Sequence, residues 1–125
     1  MFIELGSSEK EWNDSSGGKI IAKTILDTIK KDVPKKETYI ALGGIHYPQN
    51  FNKILLETDL AISHICPKYL LSALNEELLK QAFNKSVEKC SGAIVDWKGM
   101  GNQKGRVLNL LALCDIPYRK ASEFV

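Results

Sequence analysis

Short, almost wholly apolar runs alternate along this chain with longer segments in which apolar and charged residues recur at helical spacing. A buried parallel strand needs apolar side chains on both faces, whereas a helix that covers a sheet needs them on one side only. The alternation therefore predicts an α/β fold in three layers, with helices on both faces of a central sheet that is mostly parallel or mixed.

Five segments are predicted to be strands, and the first four of them are runs rich in apolar residues that glycine, proline or polar residues close. They are FIEL at residues 2–5, YIAL at 39–42, DLAISHI at 59–65, AIV at 93–95 and IPYRK at 116–120. Helical spacing predicts amphipathic helices over residues 17–31, over a segment that Asn75 caps, and over residues 107–114. Residues 48–58 carry a helical pattern that is too short to assign.

The composition fits one compact domain of residues 1–125, because 44% hydrophobic residues can form a core without metal or disulfide cross-links. The formal net charge of +2 neither demands nor excludes a polyanionic partner. Three cysteines without a CxxC spacing indicate free thiols in a reducing compartment. With no signal peptide and no apolar run of the ~20 residues that a membrane span needs, we expect a soluble cytoplasmic protein.

Glycines and polar side chains come directly after the predicted strands. The carboxyl ends of parallel strands lie at one edge of a sheet, and the ligands of open α/β sheets bind outside that edge. The residues are Glu4 at the carboxyl end of the first strand, Gly43, Gly44, His46 and Tyr47 after the second, His64, Lys68 and Tyr69 around the end of the third, and Asp96 and Lys98 after the fourth. The sequence therefore predicts one site that contains both histidines.

His46 and His64 are candidates for a general base or for metal ligands, because a neutral imidazole can take up a proton near pH 7 or bind a metal ion. The structural alternative is that both are partly buried core residues. A zinc site usually needs at least three protein ligands, so Glu4 or Asp96 would have to complete it. The two histidines alone give only a weak indication of a metal.

The charged residues beside the histidines have two interpretations each. Asp96 and Lys98 either form a surface ion pair beside Trp97, or Asp96 orients a histidine or a water molecule while Lys98 meets an anionic group of a substrate. Lys68 is either a solvated side chain or a phosphate contact. The sequence contains neither a GxSxG nucleophile motif nor a complete phosphate-loop motif.

Four motifs follow one another across nearly the whole chain: FIELGSSEKEW, ALGGIHYP, AISHICPKY and AIVDWKGM. In this order they resemble the D-aminoacyl-tRNA deacylase family of archaea and plants. The resemblance implies an esterase that frees tRNA from D-amino acids, an α/β fold akin to peptidyl-tRNA hydrolases and nucleoside phosphorylases, and zinc as a cofactor. Carried over by motif, it implies an active-site edge of His46 with Gly43 and Gly44, His64 with Lys68 and Tyr69, and Asp96 with Lys98.

The chain departs from the family pattern in length and at two positions. Family members are about twice as long, and the motifs resemble their C-terminal half, so the chain is either one domain of a longer deacylase or an unusually short relative. Ser63 and Ile45 stand where glycine is common in the family. A side chain at position 45 leaves a substrate less room to approach the backbone. We therefore expect this departure to affect which substrates are accepted and not the fold.

The expected activity is hydrolysis of the ester between a D-amino acid and the 3′ end of tRNA. His46 or His64 would act as base or metal ligand and Asp96 as its orienting partner. Lys68 and Lys98 would meet the terminal phosphates, and Gly43, Gly44 and Tyr47 would contact the substrate. Two alternatives stay open. One is a noncatalytic domain that binds the tRNA acceptor end while a missing N-terminal half completes the active site, and the other is a metal-dependent hydrolase of small esters or peptides.

Overall fold

The computed structural model describes residues 3–32 and 34–125, and the chain divides into two compact units, Met1–Pro34 and Lys35–Val125. The sequence predicts one domain of residues 1–125, and this stays a prediction. Within the described ranges, no helix has both the length and the apolar character that crossing a bilayer requires.

Two helices form the first unit, α1 (Glu9–Trp12) and α2 (Ser15–Lys30). Asp14 caps α2, because its side chain accepts a hydrogen bond from the Ser16 N–H at 2.9 Å. The prediction of a strand at residues 2–5 is wrong for residues 3–5, which have no regular secondary structure, and Phe2 lies outside the described residues. Leu5 instead packs over Gly17, where an added Cβ would lie 2.3 Å from the Leu5 Cδ2.

The second unit alternates strands and helices as predicted. Its elements are β1 (Glu37–Leu42), α3 (Gln49–Glu57), β2 (Leu60–Cys66), a first 3₁₀ helix (Lys68–Ala73), α4 (Glu76–Asn84), β3 (Cys90–Val95), a second 3₁₀ helix (Gly101–Gln103), α5 (Lys104–Leu113), β4 (Tyr118–Lys120) and a third 3₁₀ helix (Ala121–Glu123). The Asn75 cap of α4 is confirmed, since its Oδ1 accepts a hydrogen bond from the Leu78 N–H at 2.9 Å. The ambiguous residues 48–58 are mainly the helix α3.

The four strands form one sheet in the order β2-β1-β3-β4, and every neighbouring pair is parallel. At the carboxyl end of β1, Leu42 pairs with Cys66 of β2 and with Val95 of β3. The carboxyl ends of these three strands are therefore level, at one edge of the sheet.

Side chains of β1 alternate between two hydrophobic cores, as the period of two in a strand requires. Ile40 and Leu42 belong to the core that includes Leu79 of α4 and Leu111 of α5. Tyr39 and Ala41 belong to the opposite core, which includes Phe51 and Ile54 of α3 and Ala121. Helices thus cover both faces of the sheet, and the predicted three-layer α/β class is confirmed for this unit.

Candidate active site

A crevice forms where the chain leaves β1 and β3. From β1 the chain passes to α3 on one face of the sheet, and from β3 it passes to α5 on the other face. The strand order also reverses between these two strands, since β2 lies beside β1 and β4 beside β3. Open α/β sheets bind ligands at such a point, because the diverging loops leave room between the strand ends.

Gly43 and Gly44 allow the backbone after β1 to adopt a conformation that other residues rarely adopt. Their φ angles are +106° and +79°, and both glycines are buried. A Cβ on Gly44 would lie 2.9 Å from the Cβ of Pro48, and one on Gly43 would lie 3.1 Å from the backbone oxygen of Asp96. The pair therefore lets the backbone turn at the crevice while its surroundings stay close.

Backbone hydrogen bonds tie this loop to its neighbours. The Gly43 N–H donates to the carbonyl of Cys66 at 2.9 Å, and the Gly44 N–H donates to the carbonyl of Gly99 at 3.2 Å. The carbonyl of Gly44 accepts a hydrogen bond from the Lys68 N–H at 2.8 Å. The loops after β1, β2 and β3 are thus fixed to one another at the crevice.

Asp96 presents a carboxylate at the end of β3. Its Oδ1 accepts a hydrogen bond from the Gly99 N–H at 3.0 Å, and its Oδ2 accepts one from the Asn50 Nδ2 at 3.2 Å. The side chain is half-buried and borders a cavity of about 200 Å³ with Gly44 and Ile45. Two donors hold a negative charge in a fixed position, where it can bind a cationic group of a ligand.

His46 lies on the other side of the Gly44 loop and is exposed. Its Nδ1 forms a hydrogen bond with the Oη of Tyr69 at 3.0 Å, and its ring centroid lies 4.7 Å from that of Tyr47. When Nδ1 carries the proton and donates it to Tyr69, the lone pair of Nε2 is available to accept a proton. The structure thus pairs Tyr69 with His46, whereas the sequence predicted Asp96 as the orienting partner of the histidine.

Lysines approach the crevice from two sides. Lys68 borders the same cavity of about 380 Å³ as His46, and its Cε would lie 2.7 Å from a Cβ on Gly101. Lys98 borders a second cavity of about 480 Å³ with Asp96 and Lys120. Positive charge therefore lies on both sides of the loop.

Trp97 carries two further lysine contacts. The Nζ atoms of Lys104 and Lys120 lie 4.6 Å and 4.5 Å from the centroid of its ring, within the range of cation–π contacts. Trp97 is partly buried against the core that includes Val95 of β3 and Leu111 of α5. The indole ring thus makes cation–π contacts with two ammonium groups, and Trp97 also borders the cavity of Lys98 and Asp96.

His64 is not brought to this crevice. It lies within β2, opposite Ile40, and β2 continues to Cys66. His64 borders a different cavity, of about 310 Å³, with Thr38 and Ser86. The expected convergence of both histidines on one edge is therefore wrong, because the strand extends two residues beyond His64 and its pairing with β1 is irregular between Tyr39 and Ile40. A functional role of His64 stays a prediction.

A zinc site does not fit the arrangement of these side chains. Over residues 3–32 and 34–125, no three side chains of histidine, cysteine, aspartate or glutamate are grouped so that they could hold a metal ion. His46 and His64, the predicted ligands, border separate cavities. A zinc site usually needs at least three protein ligands, so the described residues do not form one by themselves, and zinc as a cofactor stays a prediction.

Contacts between distant parts of the chain escaped the sequence reasoning. Asn50 lies 46 residues from its partner Asp96, and Tyr69 lies 23 residues from its partner His46. Asn50 did leave a signal, since it is a polar residue of the first turn of α3, directly after the glycine loop. Nothing in the sequence indicated that Lys104 and Lys120 contact Trp97, because single lysines far apart in sequence are usually solvated.

Known proteins resemble the chain over most of its length. The model of the D-aminoacyl-tRNA deacylase family matches residues 1–118. The D-aminoacyl-tRNA deacylases of Pyrococcus furiosus and Thermococcus onnurineus are 40% and 42% identical to it, over 90% of this chain and 41% of their own length. The D-aminoacyl-tRNA deacylase of Methanocaldococcus jannaschii is 40% identical, over 86% of this chain and 43% of its own length.

The fold has a counterpart among solved structures. A crystal structure of a conserved protein of unknown function aligns with a TM-score of 0.75 and 26% sequence identity, over 95% of this chain and 42% of that one. This chain thus spans less than half the length of these relatives. The family model nevertheless covers nearly all of it, and the chain belongs to the D-aminoacyl-tRNA deacylase family.

Proposed function

We propose that this chain hydrolyses the ester between a D-amino acid and the 3′ end of tRNA. The observation that carries the proposal is that His46, bonded to Tyr69, and the fixed carboxylate of Asp96 lie on opposite sides of the Gly44 loop, each bordering a cavity that Gly44 and Ile45 also line. Family membership supports the substrate class. A cytoplasmic location fits the proposal, because aminoacylated tRNA is used in translation there.

The reaction needs one activated water molecule. His46 Nε2 accepts a proton from the water as the oxygen of the water bonds to the ester carbon, and the protonated ring then returns the proton to the departing 3′ oxygen of the ribose. In the tautomer that this transfer needs, Nδ1 carries the proton and donates the hydrogen bond to the Tyr69 Oη. The aminoacyl ester is already reactive, so holding it beside the water supplies much of the remaining acceleration.

Asp96 gives the site a basis for choosing one enantiomer. Its carboxylate binds the α-ammonium group of the amino acid, while the ester carbon lies toward His46 across the Gly44 backbone. With two substituents of the α-carbon fixed, the side chain of a D-amino acid points to one side of the loop and that of an L-amino acid to the other. Ile45, which is 63% exposed at this rim, would obstruct one of these directions.

The direct test compares D- and L-aminoacyl-tRNA as substrates, with and without added zinc. We expect faster hydrolysis of the D-enantiomer and a loss of about 100-fold or more in His46→Ala, which removes the general base. His64→Ala is the matched control and should change the rate little. If both enantiomers are hydrolysed at the same slow rate, and His46→Ala does not change that rate, the proposed deacylase activity is wrong.

A noncatalytic role in binding the acceptor end of tRNA is the second candidate. This role is favoured by the small part of the relatives that the chain matches, 41–43% of their sequences, because the rest of a relative could complete an active site. The lysines around the crevice would then bind phosphates, and affinity would fall steeply with salt. Salt-dependent binding of tRNA with no hydrolysis in single-turnover reactions at high protein concentration would identify this role.

A further inference from the structure

Three lysines lie around Trp97, and we call them the Trp97 lysines: Lys98, Lys104 and Lys120. The Nζ atoms of Lys104 and Lys120 lie 4.6 Å and 4.5 Å from the centroid of the indole ring. Lys98 borders the same cavity as Trp97 and Lys120. Within the part of the chain that the structure describes, no ion pair includes one of these three lysines. Their positive charges are therefore not neutralised by a neighbouring carboxylate.

The position of Lys104 makes this excess of positive charge less favourable still. Lys104 is the first residue of α5, and the first turn of α5 contains no acidic residue. The dipole of a helix favours carboxylates at this end and disfavours ammonium groups. Lys104 and Lys120 also repel each other, because both lie within 4.6 Å of one ring centroid and are thus less than twice that distance apart. An anion bound between them would replace this repulsion by attraction.

A cavity of about 480 Å³ gives an anion access to these lysines. Its volume lies within the range of small-ligand sites, and Lys98, Lys120 and the hydroxyl-bearing Ser122 border it. Asp96 borders it as well, but its two carboxylate oxygens already accept hydrogen bonds from Gly99 and Asn50. At this cavity the ammonium groups therefore outnumber the carboxylate, and the carboxylate is held by other donors.

We propose that the Trp97 lysines form a phosphate-binding site outside the cavity of His46. The chemistry that the site recognises is a phosphate group, which can belong to the backbone of an RNA strand or to a free polyphosphate. The arrangement favours the RNA backbone, because ammonium groups held around one ring can contact successive phosphates of a strand. The site requires neither an ester nor a free 3′ end, so it goes beyond the proposed function and does not depend on it.

A blunt-ended RNA hairpin tests the site, because it presents backbone phosphates and lacks the single-stranded end of tRNA. Its affinity for the whole chain would be measured by fluorescence anisotropy between about 50 and 200 mM salt, a range over which phosphate contacts weaken steeply. The double variant Lys104→Gln/Lys120→Gln should bind about tenfold more weakly at about 50 mM salt. The slope of log affinity against log salt should become shallower by about 2, because each lysine contributes about 1.

The double variant Lys23→Gln/Lys80→Gln is the matched control. It removes the same charge from exposed lysines of α2 and α4, which pair with acidic residues of their own helices. We expect it to change the affinity for the hairpin and the salt slope little. If it weakens binding as much as the variant of Lys104 and Lys120 does, binding depends on net charge alone and the proposed site is wrong.

Titration with pyrophosphate distinguishes the two sources of the phosphate group. The chain has two tryptophans, so Trp12→Phe assigns the indole N–H signal of Trp97 in NMR spectra. If the hairpin shifts this signal, and Lys104→Gln/Lys120→Gln abolishes the shift, the site is supported with RNA as its ligand. If pyrophosphate alone does so, the site is supported with a free polyphosphate as its ligand. No saturable shift of the Trp97 signal with either probe would overturn the proposal.

Activity measurements separate this site from the ester site. With D-aminoacyl-tRNA as substrate, Lys104→Gln/Lys120→Gln should raise KM by about tenfold and leave kcat nearly unchanged, because phosphates far from the ester are bound equally in the transition state. Hydrolysis of a small D-aminoacyl ester should not change. If the hairpin binds as described but no ester is hydrolysed, the phosphate site stands and the enzymatic proposal falls. If esters are hydrolysed while this variant leaves hairpin affinity and KM unchanged, the phosphate site is wrong and the enzymatic proposal stands.

Discussion

Gly44 meets two requirements at once, a positive φ and the absence of a Cβ. Its φ is +79°, and a Cβ would approach the Cβ of Pro48 to 2.9 Å. Its N–H and carbonyl also bond the loops after β3 and β2. A substitution here therefore acts on the crevice directly, and its cost can be compared with that of a glycine under no such demands.

Gly44→Ala should lower the free energy of unfolding by about 2 kcal/mol, because it adds backbone strain and a close contact. Gly105 is the matched control: it lies in α5, and an added Cβ would have nothing within 4 Å. Gly105→Ala should leave stability unchanged or raise it by up to about 1 kcal/mol. Urea unfolding followed by circular dichroism measures both, and equal shifts in the two variants would contradict this account of the loop.

Cys66 offers a pH-dependent observable close to the site. Burial raises the pKa of its thiol, although Arg106 acts in the opposite direction. Because alkylation requires the thiolate, the pH at which Cys66 reacts half-maximally should be higher in the folded chain than in the urea-unfolded chain. Iodoacetamide labelling with site-resolved mass spectrometry gives this midpoint, and a midpoint unchanged by unfolding would contradict the burial effect.

At the scale of elements, the first 3₁₀ helix matters because it carries Lys68 and Tyr69 to the crevice. Its start is bonded to Gly44 through the Lys68 N–H. Its end is held by Arg106, whose guanidinium donates to the carbonyl of Leu74 at 2.7 Å and to that of Leu71. A short helix of this type depends on such anchors, since its own hydrogen bonds are weak.

Arg106→Lys should loosen this helix, because a single ammonium cannot replace two guanidinium N–H groups directed at two carbonyls. We expect a loss of about 2 kcal/mol and faster amide hydrogen exchange at Leu70 and Leu74. Arg119→Lys is the control, since Arg119 pairs with Glu123 at an exposed site and the substitution should leave the free energy of unfolding nearly unchanged. Similar exchange rates at Leu70 and Leu74 in both variants would show that Arg106 does not anchor the helix.

Elements with a strong apolar pattern could be predicted, and those defined by long-range pairing could not. β1 and β3 were predicted because uniformly apolar runs bounded by glycine or polar residues fit a sheet covered on both faces. The same pattern wrongly predicted a strand at residues 3–5, because an apolar run does not reveal whether a neighbouring strand exists. It also misplaced His64, because the sequence does not mark an irregular pairing between strands. The strand pattern placed Gly43, Gly44, His46 and Asp96 at strand ends, where the structure has them, and their roles stay predictions. It grouped Tyr69 with His64 rather than with His46, and it did not indicate Asn50.

For the whole molecule, both hydrophobic cores consist of residues from Lys35–Val125. A chain of residues 35–125 should therefore keep the sheet and a cooperative unfolding transition of its own. Backbone amide NMR spectra of the full and shortened chains should overlay for the strand residues of the sheet. Collapse of the dispersed spectrum on removal of residues 1–34 would show instead that residues 1–125 fold as the single domain that the sequence predicts.

The order of the strands has a consequence for synthesis of the chain. β1 is a central strand, and it leaves the ribosome before either neighbour, β2 or β3. β3 follows roughly 50 residues later, which at about 5–20 residues per second is a delay of roughly 3–10 s. During this time a run of buried apolar residues has an open edge, where it is prone to pair with other chains. The arrangement that creates the crevice thus makes β1 a segment of the nascent chain that a chaperone would protect from aggregation.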